Sequence, residues 1–270
     1  MMAENKFSRY PWKYFVLVFS VSWIFWGVII LIGLEINQMP APILFAIAGA
    51  APMIIALLLT YASEQKEQRP DFWVRVLDMK RLGVLWLLIC LLTAPILIGL
   101  AGWIDRLYHG TGIMVEENFI RTPLSLIPTA IFLFFFGPLP EELGWRGYAL
   151  DGLQERFSPF VSSLILGFLW ALWHLPLFFI NGSYQQLLRS QTQLVILFPI
   201  NIFSQTFLMT WIYNRTQRST LSAVLFHFAV NLSGEMFLVS LRAEVLIAFL
   251  WVILALLVLF FGRYHRISPS

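Results

Sequence analysis

Two adjacent carboxylates and an arginine stand at the end of a strongly apolar segment of this chain. Glu141, Glu142 and Arg146 follow the run 127–137, which contains four phenylalanines. A charge at the centre of a membrane-spanning helix costs at least about 2.5–3.5 kcal/mol, so an ionisable group at that depth is a candidate functional residue. Glu142 and Arg146 are four residues apart and can pair on one helix face. The alternative is that all three are ordinary helix-end charges at the level of the lipid headgroups.

Three further polar side chains lie in later apolar segments of the chain. His174 is in one of them, and His227 and Asn231 are in another, four residues apart and therefore on one helix face. A lone histidine in an apolar helix is more often a packing residue than a catalytic one. However, a rise of about 1.5 Å per residue predicts similar depths for Glu141, His227 and Asn231. We therefore expect four polar side chains from three helices to meet in one cavity.

The residue types in this expected cavity suit the hydrolysis of an amide by an activated water. A carboxylate beside an imidazole can hold and deprotonate a water, with Glu141 as base and His174 as its partner. His227 and Asn231 can donate hydrogen bonds to a developing oxyanion. No cofactor is required for this chemistry. If a metal is used instead, Glu141, His174 and His227 are the plausible zinc ligands.

The composition of the whole chain is typical of an integral membrane protein. Hydrophobic residues make up 59% of the sequence and charged residues 12%, against about 45–50% and about 25% in ordinary soluble domains. The net charge of +3 does not indicate nucleic-acid binding, because the basic residues are dispersed between apolar runs. The one cysteine, Cys90, has no partner for a disulfide.

Eight apolar runs approach the length of about 20 residues that a membrane span needs. They are 12–34, 40–62, 84–102, 123–150, 159–181, 192–213, 220–240 and 243–262. Alternating strand patterns are absent, and backbone groups in lipid must be satisfied within a segment, so each run is predicted to be helical. The sequence therefore predicts a single all-α transmembrane domain over residues 1–270, with about eight helices around an inward-opening polar cavity.

The basic residues are distributed unequally between the two sides of the predicted membrane. With the N-terminus inside, the outer segments hold only Arg106, Arg121, Arg189 and Arg242. The inner segments hold Lys6, Arg9, Lys13, Lys66, Arg69, Arg75, Lys80, Arg81, Arg146, Arg156, Arg215, Arg218, Arg263 and Arg266. Because cytoplasmic loops carry an excess of Lys and Arg, we expect both termini, and the opening of the cavity, on the cytoplasmic side.

The inner segment 63–83 predicts a short amphipathic helix that begins near Pro70 and Asp71. Its apolar face would be formed by Phe72, Trp73, Val76 and Leu77, and its other faces by Arg75, Asp78 and Arg81. Such a helix is typical of a segment lying on the inner leaflet. A charged loop with incidental aromatic residues is the alternative.

Three motifs on successive spans resemble those of the CAAX prenyl protease type 2 family, also called the CPBP or Abi family, which contains the Ras-converting enzyme. They are Glu-Glu-x-x-x-Arg at 141–146, aromatic-x-x-x-His at 170–174 and His-x-x-x-Asn at 227–231. They define a motif core over 141–231. The aromatic residue of the second motif is Trp170, where the family pattern usually has phenylalanine.

The resemblance implies a membrane-embedded endopeptidase in contact with lipid. By motif match, the resemblance implies that Glu141 and His174 activate water and that His227 and Asn231 form the oxyanion site. Glu142 and Arg146 would support the helix geometry. The implied substrate is a prenylated, CAAX-type or other membrane-associated peptide, cleaved near its C-terminus.

Two other functions fit part of the pattern. A proton-coupled transporter could use the same polar residues as a path, extended by Asn201, Gln205 and Glu235. Against it, the spans do not form paired interrupted segments in symmetric halves. A catalytically silent scaffold, or a protein of the bacteriocin-immunity type, would not need all four of the site residues.

Overall fold

Helices make up most of the chain in a computed structural model, which describes residues 11–262 and residue 264. The α-helices are α1 (Pro11–Ile32), α2 (Ala41–Ala62), α3 (Gln68–Leu77), α4 (Gly83–Leu107), α5 (Glu117–Arg121), α6 (Leu126–Phe136), α7 (Pro138–Gly144), α8 (Leu150–Gln154), α9 (Pro159–Trp173), α10 (Tyr184–Leu188), α11 (Thr192–Arg215), α12 (Thr220–Met236) and α13 (Leu241–Phe261). The predicted all-α class is confirmed. Lys6, Arg9, Arg263 and Arg266, which contributed to the predicted orientation, lie outside the described residues.

Each of the eight predicted spans is occupied mainly by helix. Within residues 11–262, seven helical segments are long and apolar enough to cross a membrane, and α12, in the remaining run, has 17 residues. The end of that run was predicted to be helical, but it is not. It forms the strand β2 (Phe237–Val239), which pairs antiparallel with β1 (Ile113–Val115). The sequence did not reveal this small sheet, since a short apolar run has no period that distinguishes strand from helix.

The fourth predicted span is a broken helix, and the expectation of one continuous helix over 123–150 is wrong. At Gly137 the backbone leaves helical geometry (φ −137°, ψ −93°) between α6 and α7. Pro138 explains the break, because it has no N–H to continue the ladder and disfavours helical backbone at the preceding residue. The same proline suits the first turn of α7. The chain then makes a π-helical turn, Trp145–Ala149, before α8.

The fifth predicted span also ends differently from the prediction over 159–181. The α-helical part stops at Trp173, and a 3₁₀ segment, Leu175–Phe179, follows it. Pro176 lies in that segment and cannot donate a backbone hydrogen bond to the helix. His174 therefore lies at the junction, as the C-terminal cap of α9.

The short helix α7 lies at the centre of the bundle. It packs between α2 and α12, while α2 also packs against α1, and α12 against α4. The approach is close at Gly144, where an added Cβ would lie 2.6 Å from the backbone carbon of Pro52. A glycine is needed there because any side chain would separate α7 from α2. The carboxylates carried by α7 are therefore surrounded by protein.

The predicted short helix before the third span is present as α3, but the orientation predicted for one of its residues is wrong. Arg75 does not point away from the apolar residues, since it is completely buried. Its Nε donates to Asp71 Oδ2 (3.0 Å), its Nη1 lies near Asp151 Oδ2 (3.2 Å) and Tyr213 Oη (2.9 Å), and its Nη2 donates to the Gly147 carbonyl (2.9 Å). The helix is thus fastened to the protein by its arginine.

Candidate active site

Glu141 lies on the first turn of α7 and is almost completely buried, with 9% of its surface exposed. Its Oε2 accepts a hydrogen bond from the indole Nε1–H of Trp170 at 2.7 Å. Among the described residues, none donates a hydrogen bond to the other oxygen, Oε1. One carboxylate oxygen is therefore held by the protein, and the other remains available to a water or a substrate.

His174 is oriented by the same tryptophan. Its Nδ1 lies 2.8 Å from the backbone carbonyl oxygen of Trp170. Because a carbonyl oxygen only accepts, Nδ1 carries the hydrogen and the neutral ring presents an unprotonated Nε2. Trp173 and Phe198 pack against the imidazole, with ring centroids 4.9 Å and 5.3 Å away. The ring is thus fixed in the tautomer that accepts a hydrogen bond from a water.

The expected convergence of the polar side chains is centred on Trp170 of α9. Its ring lies edge-to-face with His227 of α12, at a centroid distance of 5.2 Å. The guanidinium carbon of Arg146 lies 4.9 Å from the centre of the same ring. Together with the hydrogen bond from the indole to Glu141 and that from His174 to the backbone carbonyl, these contacts gather residues of α7, α9 and α12 around Trp170. Asn231, the fourth side chain of the prediction, is not among them.

Glu142 and Arg146 form the ion pair predicted from their spacing. Arg146 Nη1 lies 2.9 Å from both carboxylate oxygens of Glu142, and neither side chain is exposed to solvent. The structure adds a contact that the sequence did not predict, because His227 Nδ1 lies 3.0 Å from Glu142 Oε1. A histidine that is buried needs a partner for its ring nitrogens, which was the available signal for this contact.

Asn231 lies one helical turn beyond His227, and both residues face α7. An added Cβ at Gly137, immediately before α7, would lie 3.5 Å from the Asn231 Nδ2. No side-chain hydrogen bond of Asn231 is found among the residues that the structure describes. Its amide therefore lies beside the start of the helix that carries Glu141, with its donors uncommitted.

The zinc alternative has no preformed cluster in this arrangement. Within residues 11–262 and 264, no group of three His, Cys, Asp or Glu side chains is placed to hold a metal ion. Of the suggested ligands, His174 and His227 both use Nδ1 in hydrogen bonds with the protein, so each would have only Nε2 for a metal. A hydrogen bond at Nδ1 is also usual for a histidine that binds zinc through Nε2, and independence of a metal stays a prediction.

Comparisons with known proteins cover most of the chain. A family model described as type II CAAX prenyl endopeptidase, Rce1-like, matches residues 123–233, a range that contains the motif core 141–231. A protein of Methanococcus maripaludis, CAAX prenyl protease 2, is 30% identical over 256 residues. That alignment covers 91% of this chain and 91% of the relative.

Proposed function

The chain belongs to the Rce1-like family of type II CAAX prenyl endopeptidases, and we propose that it cleaves a prenylated, membrane-associated protein by a water that Glu141 and His174 activate. Membership of the family makes the chain a membrane-embedded hydrolase of peptide bonds. It also favours this function over the transporter and the silent scaffold. The roles of individual residues and the identity of the substrate are part of the proposal.

The proposed reaction begins with a water between Glu141 and His174. The free Glu141 Oε1 and the unprotonated His174 Nε2 each accept one hydrogen bond from it, so the water's lone pair is directed towards the peptide carbonyl. As the oxygen bonds to the carbonyl carbon, Glu141 takes the proton as general base. It then delivers that proton to the leaving nitrogen, and the C–N bond breaks. No covalent enzyme intermediate is needed.

We assign the stabilisation of the negative charge that forms on the carbonyl oxygen to hydrogen-bond donors on α12. Among the described residues the Asn231 amide has no hydrogen-bond partner, so its N–H₂ can donate to an oxyanion. His227 can act in the same way only when both ring nitrogens carry hydrogens, because Nδ1 is used on the Glu142 carboxylate and Nε2 of the neutral ring is an acceptor. Glu142 and Arg146 hold His227 at the position from which it donates.

The observation that carries the proposal is that Glu141 and His174 both hydrogen-bond to Trp170, one through the indole and one through the backbone carbonyl. The test is an assay of the purified protein in detergent with a farnesylated peptide that ends in a CAAX sequence. We expect release of the C-terminal tripeptide, and little cleavage of the same peptide without the farnesyl group. Absence of cleavage by folded protein would contradict the proposed substrate class, and equal cleavage of both peptides would contradict the need for a lipid.

We also propose that both termini and the opening of the site face the cytoplasm, where a lipid-modified tail can approach sideways from the inner leaflet. The basis is the excess of Lys and Arg on that side. In a Cys90→Ala background, Lys66→Cys and Ser190→Cys place one exposed thiol on each predicted side. In intact cells a membrane-impermeant thiol reagent should label Ser190→Cys only. Labelling of Lys66→Cys alone would mean that the orientation is inverted.

A further inference from the structure

The indole of Trp170 donates a hydrogen bond to the carboxylate of the proposed base, Glu141. The indole nitrogen can only donate a hydrogen bond, so its contact of 2.7 Å with Oε2 is a donation to the carboxylate. Hydrogen bonds to ionised acceptors are shorter and stronger than those between neutral groups. A phenylalanine at this position could not make this bond, because its ring has no N–H.

The indole that makes this bond is itself held on several sides. Trp170 is 2% exposed, and it lies in the last turn of α9. His227 packs edge-to-face against it at 5.2 Å, and the Arg146 guanidinium lies over its face at 4.9 Å. A cation over an aromatic face is attracted to it. The donor is therefore fixed before the substrate arrives, and little freedom remains to be lost in the reaction.

From these contacts we infer that Trp170 is a positioning residue for hydrolysis, which holds Glu141 through Oε2 and directs Oε1 towards the attacking water. The inference rests on the proposed role of Glu141 as the general base. Without the indole N–H, the carboxylate could rotate about its last bond, and Oε2 would lose its partner in a nearly buried site. General-base catalysis depends on this geometry, since the base must lie within hydrogen-bond reach of the proton that it removes.

The kinetic test replaces Trp170 by phenylalanine, which keeps an aromatic ring and removes the N–H. We expect kcat for the farnesylated peptide to fall by about 10- to 100-fold, the range that corresponds to a hydrogen bond to a charged group. KM should change little, because the peptide does not need this bond in order to bind. The matched control is Trp211→Phe, which removes another indole donor, bonded to the Gly262 carbonyl at 2.8 Å away from the site. It should retain the kcat of the unchanged protein.

A spectroscopic test reads the contact directly and does not depend on the activity of a Trp170 variant. In protein labelled with ¹⁵N-tryptophan, the Trp170 indole resonance is assigned by its absence from Trp170→Phe. Replacing Glu141 by Gln removes the negative charge from the acceptor, so this resonance should move while that of Trp211 stays in place. A resonance of Trp170 that does not respond would overturn the inference.

The two proposals can fail separately in these experiments. An inactive Glu141→Gln variant beside an unimpaired Trp170→Phe variant would overturn only the role of Trp170. A Glu141→Gln variant that still hydrolyses the peptide would overturn the proposed base, and the role of Trp170 with it.

Discussion

The two completely buried arginines, Arg75 and Arg146, use their guanidinium groups in opposite ways. All three nitrogens of Arg75 lie close to oxygen atoms, supplied by two carboxylates, a tyrosine and a backbone carbonyl. Arg146 uses only Nη1, which pairs with Glu142, whereas its buried Nε and Nη2 have no hydrogen-bond partner among the described residues. Leaving a buried donor unpaired costs about 1–3 kcal/mol.

This difference indicates which of the two clusters is structural and which belongs to the site. The Arg75 cluster consists of Arg75, Asp71, Asp151, Tyr213 and the Gly147 carbonyl. Its hydrogen bonds join α3 to the π-helical turn that follows α7 and to α11. The Arg146 cluster, which is Arg146 with Glu142, instead contacts the site directly, since Glu142 Oε1 lies 3.0 Å from His227 Nδ1 and the Arg146 guanidinium lies over the Trp170 ring. We therefore expect changes in the Arg75 cluster to alter stability, and changes around Glu141 to alter turnover.

Arg75→Met should have the largest effect on stability. It removes the cation that compensates Asp71 and Asp151, and breaking a buried pair from one side costs about 3–5 kcal/mol. The measurement is reversible unfolding in detergent, with turnover per folded molecule recorded in parallel. Turnover should largely persist. A stability close to that of the unchanged protein would show that the Arg75 cluster is not the structural one.

Arg218→Ala and Arg81→Ala should give progressively smaller losses of stability. Arg218 contacts Asp151 at 2.5 Å, but about a quarter of its side chain is exposed (26%), and the neighbouring carboxylate raises its pKa, so that it stays charged. Arg81 lies 3.6 Å from Asp78 and donates to the Gln217 carbonyl (2.9 Å), with its side chain partly exposed. Its loss should cost at most about 1 kcal/mol, as for other surface pairs. A larger loss of stability for Arg81→Ala than for Arg218→Ala would contradict burial as the cause of the difference.

Chelation of metal ions is expected to have the smallest effect of these changes, and the quantity to measure is turnover. The proposed base and its histidine need no metal to hold a water, so turnover after treatment with a strong chelator should be largely intact. The check combines the rate with the metal content of the purified protein. Complete inactivation that is reversed only by Zn²⁺, with stoichiometric bound metal, would replace the proposed mechanism by a zinc mechanism.

The parts of the site that the sequence predicted are those with local or periodic causes. The pair of Glu142 and Arg146 follows from their separation by four residues, and so does the common orientation of His227 and Asn231 towards α7. The spans follow from the length of the apolar runs. In these cases the geometry of a helix is sufficient to bring the side chains together.

The parts that were missed depend on partners that are distant in the sequence. Arg75 was assigned to a polar face because its partners Asp151 and Tyr213 are contributed by other segments. The contact between His227 and Glu142 spans 85 residues, and no periodicity indicates it. The same is true of the hydrogen bond from Trp170 to Glu141, which joins residues 29 positions apart.

The most direct test of the account is the turnover of Glu141→Gln, measured in the same preparation as its unfolding. The substitution keeps the size of the side chain and an acceptor for Trp170, but it removes the base. We predict that hydrolysis of the farnesylated peptide falls by at least about 100-fold, the lower end of what general-base catalysis contributes, while stability stays near that of the unchanged protein. Near-normal turnover by the folded variant would contradict the central claim that Glu141 activates the water.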